Sequence, residues 1–544
     1  MRYLNIYVRQ KSELYPASLA DSVHLSYSSD GIDDTPLNQN YGILFARAVI
    51  RPDNSIEERR LIHPVFLFLD GMYGIAASWT DSEGTVIETD KMLLWTTRDF
   101  ISFKEHHLVE RRLYAEALSH SCERIEISEE LEKSIRENWL PVRAVETVLP
   151  EEIKVRRLED LKNITATVVY SDGSTDEKKV QWDIENPILR EEGRYTVYGN
   201  IVQKTYEFPL AAGYADPVIF KWENDWYFIA TNDNKNSIGL YVRKADCVDA
   251  LFSREVKEYC ILDYDEEHDF VKNFWAPEFH QIGQELYLLF SVGGKNQGPQ
   301  SHMMRLKPGG SIINSQDWES PVRVCRQDGS ALTDEGITID MTYFCVKGRS
   351  YVIWNCRKGF GTQKDTGGVL LIASVDEKKP WILTSEPVVL SRSLYGWENN
   401  SGTLNNEGPY PLILQDYIYI SYSGGAANGY SYAVGFLRIP AEANMLDPDQ
   451  WEKIPAAALS SASIDGIQGP GHNSFFVDDD GKLMIAYHAQ EREKYFTRCT
   501  MIHRVHINRR NVPVLNLSAK RDLPDDLKTV TIEAKIQECR KRLI

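Results

Sequence analysis

One stretch of the sequence decides the fold: Leu404-Asn405-Asn406-Glu407-Gly408-Pro409-Tyr410, followed by alternating aromatic and aliphatic residues over 412–422. The alternation is typical of a β-strand, and the Gly-Pro pair places a turn directly before it. The single carboxylate of Glu407 therefore lies at the entrance of a strand instead of on the solvated face of a helix. A carboxylate placed in this way is a candidate catalytic group.

The same order of features occurs four more times. A polar residue precedes an aromatic, strand-like run at Asp216 in Ala-Asp-Pro, Glu278 in Trp-Ala-Pro-Glu, Asp340 in Ile-Asp-Met and His472 in Gly-Pro-Gly-His. Together with Glu407, these residues lie 62, 62, 67 and 65 positions apart. Such even spacing indicates copies of one supersecondary unit, and its short strands predict a five-bladed β-propeller. The five polar groups are then expected to converge on the propeller axis.

The strings Ala-Asp-Pro, Trp-Ala-Pro-Glu, Ile-Asp, Asn-Glu-Gly-Pro-Tyr and Gly-His-Asn-Ser-Phe resemble, in this order, glycoside hydrolase family 43 over residues 206–514. Each string alone is common, but five in register are specific. The resemblance implies a propeller that cleaves arabinose- or xylose-containing glycans with inversion. It implies no required cofactor. A structural Ca²⁺ on the propeller axis, contacted by His472 through water, is compatible with it.

The resemblance also assigns a catalytic trio, residue by residue. Asp216 is the general base, Glu407 is the general acid, and Asp340 is the third carboxylate, which orients the acid and modulates its pKa. Inverting hydrolysis needs an acid for the leaving oxygen and a base for a water on the opposite face of the sugar. Three carboxylates at one mouth repel one another, so the pKa of one of them should be raised. Taken singly, each residue also fits a turn or a solvated loop.

Residues that border these motifs are candidates for substrate binding. Aromatic faces suit the apolar faces of furanose and xylose rings. The resemblance places His472 at the base of the pocket and Arg498 in the sugar subsite, whereas a surface position for Arg498 and core positions for some aromatics stay open. The candidates are Trp275, Glu278, Tyr343, Trp397, His472 and Arg498.

The chain of 544 residues is long enough for about three domains, and the predicted fold class is all-β. Residues 204–515 form the propeller, and residues 1–140 form a β-rich, partly propeller-like region that ends in a helical connector. Residues 141–203 contain short strands and the turn Ser171-Asp172-Gly173-Ser174, and they resemble bacterial Ig-like β-sandwich modules. The tail, residues 516–544, is compatible with a helix or a last strand.

A formal net charge of −18 argues against a nucleic-acid or membrane partner, because both favour basic surfaces, and it suits a neutral oligosaccharide. The N-terminal residues contain no long apolar segment, so we expect a cytoplasmic bacterial enzyme. The eight cysteines include no Cys-x-x-Cys pair, and we expect reduced thiols. The oligomeric state is left open.

The predicted function is an inverting exo-glycoside hydrolase that removes terminal α-L-arabinofuranosyl residues from arabinoxylan or arabinan. Long loops at 293–301, 362–366 and 391–404 are placed to close one end of the site. A β-D-xylosidase or a bifunctional enzyme is the main alternative, although few residues follow the propeller. A β-galactofuranosidase is less favoured. A non-catalytic carbohydrate-binding propeller is disfavoured because all three carboxylates are present.

Overall fold

The computed structural model describes residues 1–184, 192–400, 403–491 and 497–536. They divide into two compact units, Met1–Trp139 with Glu207–Ile502 and Leu140–Tyr206 with His503–Ile544. The predicted all-β class is confirmed, because strands form almost all of the regular structure in both units. The described cysteines are free, and Cys539 lies outside the described residues. No helix in the described ranges is both long and apolar enough to cross a membrane.

Five four-stranded antiparallel sheets form the propeller. Their second strands are buried along almost their whole length, which is why their sequences are continuous apolar runs. We number the sheets blades 1 to 5, and their strands are Tyr214–Trp222, Asp225–Asn232, Leu240–Ala245 and Glu258–Leu262; Lys272–Ile282, Glu285–Gly293, Gln300–Arg305 and Val322–Arg323; Ile337–Val346, Arg349–Arg357, Val369–Val375 and Val388–Arg392; Asn406–Ile413, Tyr417–Gly424, Ala433–Pro440 and Glu452–Lys453; Gln468–Val477, Leu483–Gln490, Arg498–Arg504 and Ala211–Ala212.

Blade 5 closes the ring, because its outermost strand comes from the start of the propeller. Ala211 pairs with Thr500, and Ala212 pairs with Cys499. Blade 1 begins directly afterwards, at Tyr214. The first and last parts of the propeller are therefore held together by backbone hydrogen bonds.

Residues Met1–Trp139 belong to the same compact unit as the propeller. The predicted helical connector is only partly helical, because Arg124–Glu126 is a strand paired with Tyr3–Tyr7. Ile125 is therefore buried in a sheet and not on a helix. The strands are Tyr3–Tyr7, His24–Ser28, Thr35–Pro36 and Arg124–Glu126; Arg60–Leu69, Met72–Thr80, Lys91–Thr97 and Lys104–Glu110; Val49–Ile50 and Ile56–Glu57; the helices are Ala17–Ala20, Ala115–Ser119 and Glu129–Trp139.

An aromatic cluster joins the N-terminal region to blades 3 and 4. Tyr15, Tyr41 and Phe45 lie in one hydrophobic cluster with Tyr395 and Trp397. The rings of Phe45 and Tyr395 are 6.2 Å apart. The N-terminal region therefore extends the core of the propeller.

The second unit is built around a six-stranded sheet, in which the last described strand, Thr529–Ile536, pairs with both Gly193–Ile201 and Glu152–Val155. The tail thus supplies a strand, one of the two alternatives left open by the sequence. Lys178 and Asp522 form a buried ion pair at 2.9 Å. The strands are Ala144–Val148, Glu152–Val155, Thr165–Tyr170, Thr175–Trp182, Gly193–Ile201, Thr529–Ile536, His506–Ile507 and Pro513–Val514, and the helix is Ala519–Asp522.

The N-terminal contact makes a stability prediction. Phe45→Ala should destabilise the protein by about 3 to 5 kcal/mol, because a buried ring is removed from a packed cluster. Phe68→Ala is the matched control, since Phe68 is 57% exposed, and it should change stability by less than about 0.5 kcal/mol. Urea unfolding followed by tryptophan fluorescence measures both. Equal effects of the two substitutions would contradict the structure.

Candidate active site

Every blade has an irregularity at the same place in its first strand. The register against the second strand shifts there by a β-bulge, and one residue takes a left-handed backbone conformation. Such a conformation costs a non-glycine residue about 1 to 3 kcal/mol and persists only where the surroundings enforce it. The residues are Asp216 (φ 53°), Ala276 (φ 45°), Asp340 (φ 56°), Gly408 (φ 54°) and His472 (φ 46°).

The positions of the bulges show which residues of the five repeats are structurally equivalent. Asp216, Asp340 and His472 occupy equivalent positions, as the sequence predicts. Glu407, however, lies one residue before the equivalent Gly408, and Glu278 lies two residues after Ala276. Glu278 is therefore not equivalent to Asp216, Asp340 and His472, although its charge reaches His472 and contributes to raising the His472 pKa. The comparison of the repeats by residue type matched Glu278 because it is the nearest carboxylate, whereas the bulge residue of blade 2 is Ala276.

Polar residues of the second strands hold these bulges. The Ala276 amide donates to Thr231 Oγ1 at 2.8 Å, the His472 amide donates to Ser423 Oγ at 2.7 Å, and the Asp216 amide donates to His488 Nδ1 at 3.2 Å. In each case the acceptor belongs to the preceding blade, with blade 5 preceding blade 1. These bonds satisfy buried backbone donors that the bulges release from strand pairing.

The carboxylate of Asp216 is surrounded by cationic and donor groups. Its Oδ1 is 3.1 Å from Nδ1 of His472, 3.1 Å from Nδ1 of His488 and 3.5 Å from Nη1 of Arg498. Thr231 donates its hydroxyl to Oδ2 at 2.6 Å. Burial alone would raise the pKa of Asp216, but His472 and Arg498 outweigh it and hold the pKa far below its usual range. Asp216 is therefore ionised.

Asp340 has the opposite electrostatic environment. The amide of Gly408 donates to its Oδ2 at 3.1 Å, and the side chain is buried. Burial raises the pKa of Asp340 to about 7; His472 opposes this shift, and the charges of Glu407 and Asp216 add to it. One pKa of the trio is thus raised, at Asp340, but burial is the main cause and the neighbouring carboxylates add less. Near neutral pH, one proton is retained at this side of the site.

Glu407 is half-buried, and its Oε1 accepts a hydrogen bond from the Tyr432 hydroxyl at 2.8 Å. The ring of Tyr432 stacks on His488 at 5.4 Å. A side chain at Gly471 would collide with the Tyr432 ring, since its Cβ would lie 2.2 Å from a ring carbon. Tyr432 therefore links the surroundings of Glu407 and Asp216.

His472 contacts the trio from blade 5. Burial lowers its pKa, but the charges of Asp216, Asp340 and Glu407 outweigh burial and raise it above the ordinary value. In the part of the chain that the structure describes, no three His, Cys, Asp or Glu side chains are grouped to hold a metal ion. An ion contacted by His472 through water would not need such a group of direct ligands, so the structural Ca²⁺ stays a prediction.

Arg498 is brought to the site and is not a surface residue. It binds Asp233 in a bidentate manner at 2.9 and 2.7 Å, which orients its guanidinium group, and its third nitrogen faces Asp216. Trp275 is half-exposed and immediately precedes the bulge residue Ala276, the position that Glu407 has in blade 4.

The structure does not bring the other candidates to the pocket. Trp397 is fully buried, stacks on Tyr422 and donates its indole N–H to the Pro455 carbonyl at 2.8 Å, so it is a core residue. Tyr343 is buried in a core cluster and hydrogen-bonds Ser350 at 2.8 Å.

Glu278 is also buried, two residues beyond the bulge residue Ala276 in the first strand of blade 2. It pairs with His280 at 2.7 Å. The substrate-binding assignments of Glu278, Tyr343 and Trp397 are therefore corrected to structural positions.

Sequence reasoning missed Tyr432, His488, Thr231 and Asp233. His488 and Thr231 had a readable signal, because each is a polar residue within an otherwise apolar second strand and each pairs with the residue before a bulge. Tyr432 had none, because tyrosines are frequent in this chain.

Comparison with known proteins agrees with this geometry. The family model "Glycosyl hydrolases family 43" matches residues 206–513, and the model "Bacterial Ig-like domain (group 4)" matches residues 164–204. Both modules predicted from the sequence are therefore confirmed.

Among curated proteins, an extracellular exo-α-(1→5)-L-arabinofuranosidase of Streptomyces chartreusis is 30% identical over 53% of this chain and 83% of its own length. A protein of the same name from Streptomyces avermitilis is 29% identical over 52% of this chain. The chain spans 56% of that second relative. An α-L-arabinofuranosidase structure from Lactobacillus brevis is 24% identical and covers 57% of this chain and 96% of its own, with a TM-score of 0.49.

These relatives contradict the expected cytoplasmic location. Both Streptomyces proteins are named as extracellular enzymes, which points to secretion. The expectation was wrong because it was based on the N-terminal residues alone.

The contact between Asp216 and His472 predicts how the pKa of His472 changes when Asp216 is substituted. In Asp216→Asn, the pKa of the His472 imidazole should fall, because the nearest carboxylate no longer stabilises the imidazolium ion. Asp328→Asn, which changes an exposed turn carboxylate, should leave the His472 titration unchanged. Histidine-selective NMR labelling measures both titrations, and an unchanged His472 pKa in Asp216→Asn would contradict the described contact.

Proposed function

Since the chain belongs to family 43 of the glycosyl hydrolases and is a glycoside hydrolase, we propose that it removes terminal α-L-arabinofuranosyl residues from plant cell-wall oligosaccharides, with inversion at the anomeric carbon. The observation that carries this proposal is the pairing of one carboxylate held ionised with a second carboxylate held protonated near neutral pH. Inverting hydrolysis needs one base and one retained proton on opposite sides of the sugar.

Asp216 is the proposed general base. His472 and Arg498 keep it charged, and the hydroxyl of Thr231 fixes the orientation of its second oxygen. A carboxylate held in this way accepts a proton from a water that attacks the anomeric carbon. Its lowered pKa keeps it in the ionised form at neutral pH.

Glu407 is the proposed general acid, and Asp340 supports it. Glu407 is half-buried and thus accessible to a leaving oxygen, whereas Asp340 is buried. Asp340 anchors the amide of Gly408, the residue that follows Glu407. Two adjacent carboxyl groups are harder to ionise together than singly, so this side of the site retains a proton that Glu407 can deliver to the leaving oxygen.

The sugar is inferred from the relatives. Both Streptomyces proteins are named for exo action on α-(1→5)-linked L-arabinofuranose. Trp275 lies next to the bulge residue Ala276, and its half-exposed aromatic face suits a furanose ring. Arg498 supplies N–H donors for sugar hydroxyls.

A substrate panel tests the sugar and the mode of cleavage. We expect the purified protein to hydrolyse 4-nitrophenyl α-L-arabinofuranoside faster than the β-D-xyloside and the β-D-galactofuranoside. We expect free arabinose as the first product from linear arabinan. Preferential cleavage of the xyloside, or an early ladder of arabino-oligosaccharides, would contradict the proposal.

Substitutions test the two roles. Glu407→Gln and Asp216→Asn should each reduce kcat by about 10² to 10⁴, because a positioned acid or base is lost while the shape of the side chain is kept. Glu386→Gln, at an exposed ion pair on blade 3, is the control and should leave kcat unchanged. Thermal unfolding must confirm that the variants are folded. Full activity in either site variant would exclude its proposed role.

The dependence of activity on pH follows from Asp340. The active form requires the proton that Asp340 retains, so kcat/KM should fall as the pH rises through about 7. In Asp340→Asn the titrating group is absent, and kcat/KM should no longer fall near pH 7. Initial rates between pH 4 and 10 at fixed ionic strength measure both profiles. If kcat/KM of the variant still falls near pH 7, a group other than Asp340 titrates there.

A further inference from the structure

A buried ion pair supports the residues immediately before Glu407. Glu398 has no exposed surface, and its Oε1 lies 2.6 Å from Nζ of Lys453. The same Nζ donates to Oδ1 of Asn406 at 3.1 Å. Because Asn406 directly precedes Glu407, Lys453 fixes the backbone from which the Glu407 side chain extends.

Glu398 also binds the chain on both of its sides. Its Oε2 accepts the amides of Leu394 and Tyr395 at 2.7 and 2.8 Å, and its backbone carbonyl accepts the amide of Asn405 at 3.1 Å. The Tyr422 hydroxyl of blade 4 donates to Oε1 at 2.7 Å. Residues 394–398, which we call the support segment, are therefore tied directly to the entrance of the Glu407 strand.

The N-terminal region binds the support segment from the other side. The Ala48 amide donates to the Leu394 carbonyl at 2.8 Å, and Arg47 hydrogen-bonds the Tyr395 hydroxyl. The Ser18 carbonyl lies only 1.9 Å from the place that a Cβ of residue 396 would take, so this approach requires Gly396. The support segment thus lies between the N-terminal region and the site.

We propose that the N-terminal region is a positioning element for Glu407, acting through the support segment and the Glu398–Lys453 ion pair. This inference rests on the proposed role of Glu407 as general acid. A fully buried ion pair is weak evidence for stability, because its desolvation offsets much of its attraction. Its hydrogen bonds to Asn406 and to the support segment give it a directional role that apolar packing would not supply.

A displaced general acid has a specific kinetic signature. Protonation of the leaving oxygen matters most when the leaving group is a poor one, and it matters little for an acidic phenol that departs as a stable phenolate. Loss of Glu407 positioning should therefore slow phenyl glycosides far more than 2,4-dinitrophenyl glycosides. A general loss of folded enzyme would slow both substrates equally.

Two variants test the proposal in the full chain. The double variant Glu398→Gln with Lys453→Met removes both charges together, so that no buried charge is left unpaired. Arg47→Gln breaks the contact from the N-terminal region, and its side chain is partly exposed, which lowers the risk of misfolding. The matched controls are Glu452→Gln, which neighbours Lys453 but pairs with Arg438, and Arg51→Gln, which pairs with Glu57 in the N-terminal region.

We expect the double variant to lose about 10²-fold in kcat/KM on the phenyl arabinofuranoside and less than about 3-fold on the dinitrophenyl one. Arg47→Gln should show the same selectivity with a loss of about 10-fold, and both controls should match the wild type. Equal losses on both substrates, or no loss, would overturn the inference. If the wild type cleaves no arabinofuranoside, the proposed sugar is wrong, and the same comparison on the aryl glycoside that it does cleave decides the inference.

Discussion

The rest of the propeller depends on the contacts of the buried Asp216 carboxylate with His472, His488 and Arg498, of which His472 and Arg498 carry positive charge. Asp216 comes from blade 1, whereas His472, His488 and Arg498 come from blade 5. A carboxylate in this position is costly to desolvate unless it is paired and hydrogen-bonded. The contact that offsets this cost also joins the first blade to the last. The same contacts therefore both join the two blades and keep Asp216 ionised.

The bulges in the first strands of the five blades explain how the same backbone geometry presents different side chains in different blades. A left-handed residue at the first strand of every blade releases a backbone amide, and a polar residue of the preceding blade accepts it in three of the five cases described. The scaffold therefore holds the bulge, while the residue at the bulge is free to be Asp, Ala, Gly or His. The proposed catalytic trio uses two of these positions, Asp216 and Asp340, and the neighbour of a third, Glu407.

The sequence predicted the five blades because they depend on local, repeated patterns, whereas the roles of Asp216, Asp340 and Glu407 were taken from the family resemblance and stay proposals. It failed where the deciding contact is distant or depends on backbone geometry. Glu278 was misaligned because residue type does not reveal a bulge, and Trp397 was placed in the pocket because an aromatic residue near a motif does not reveal burial. The strand Thr529–Ile536 could not be assigned, since its partner Gly193–Ile201 is more than 300 residues away in sequence. Tyr432 reaches Glu407 only through the packing of blades 4 and 5.

The most direct test is the configuration of the first product. In the proposed mechanism, Asp216 activates water and forms no bond to the sugar. Proton NMR during cleavage of an aryl α-L-arabinofuranoside by the full-length protein should then show β-L-arabinofuranose first, with the α-anomer appearing later by mutarotation. Initial release of the α-anomer would show that a carboxylate acts as a nucleophile, and it would contradict the assignment of the site.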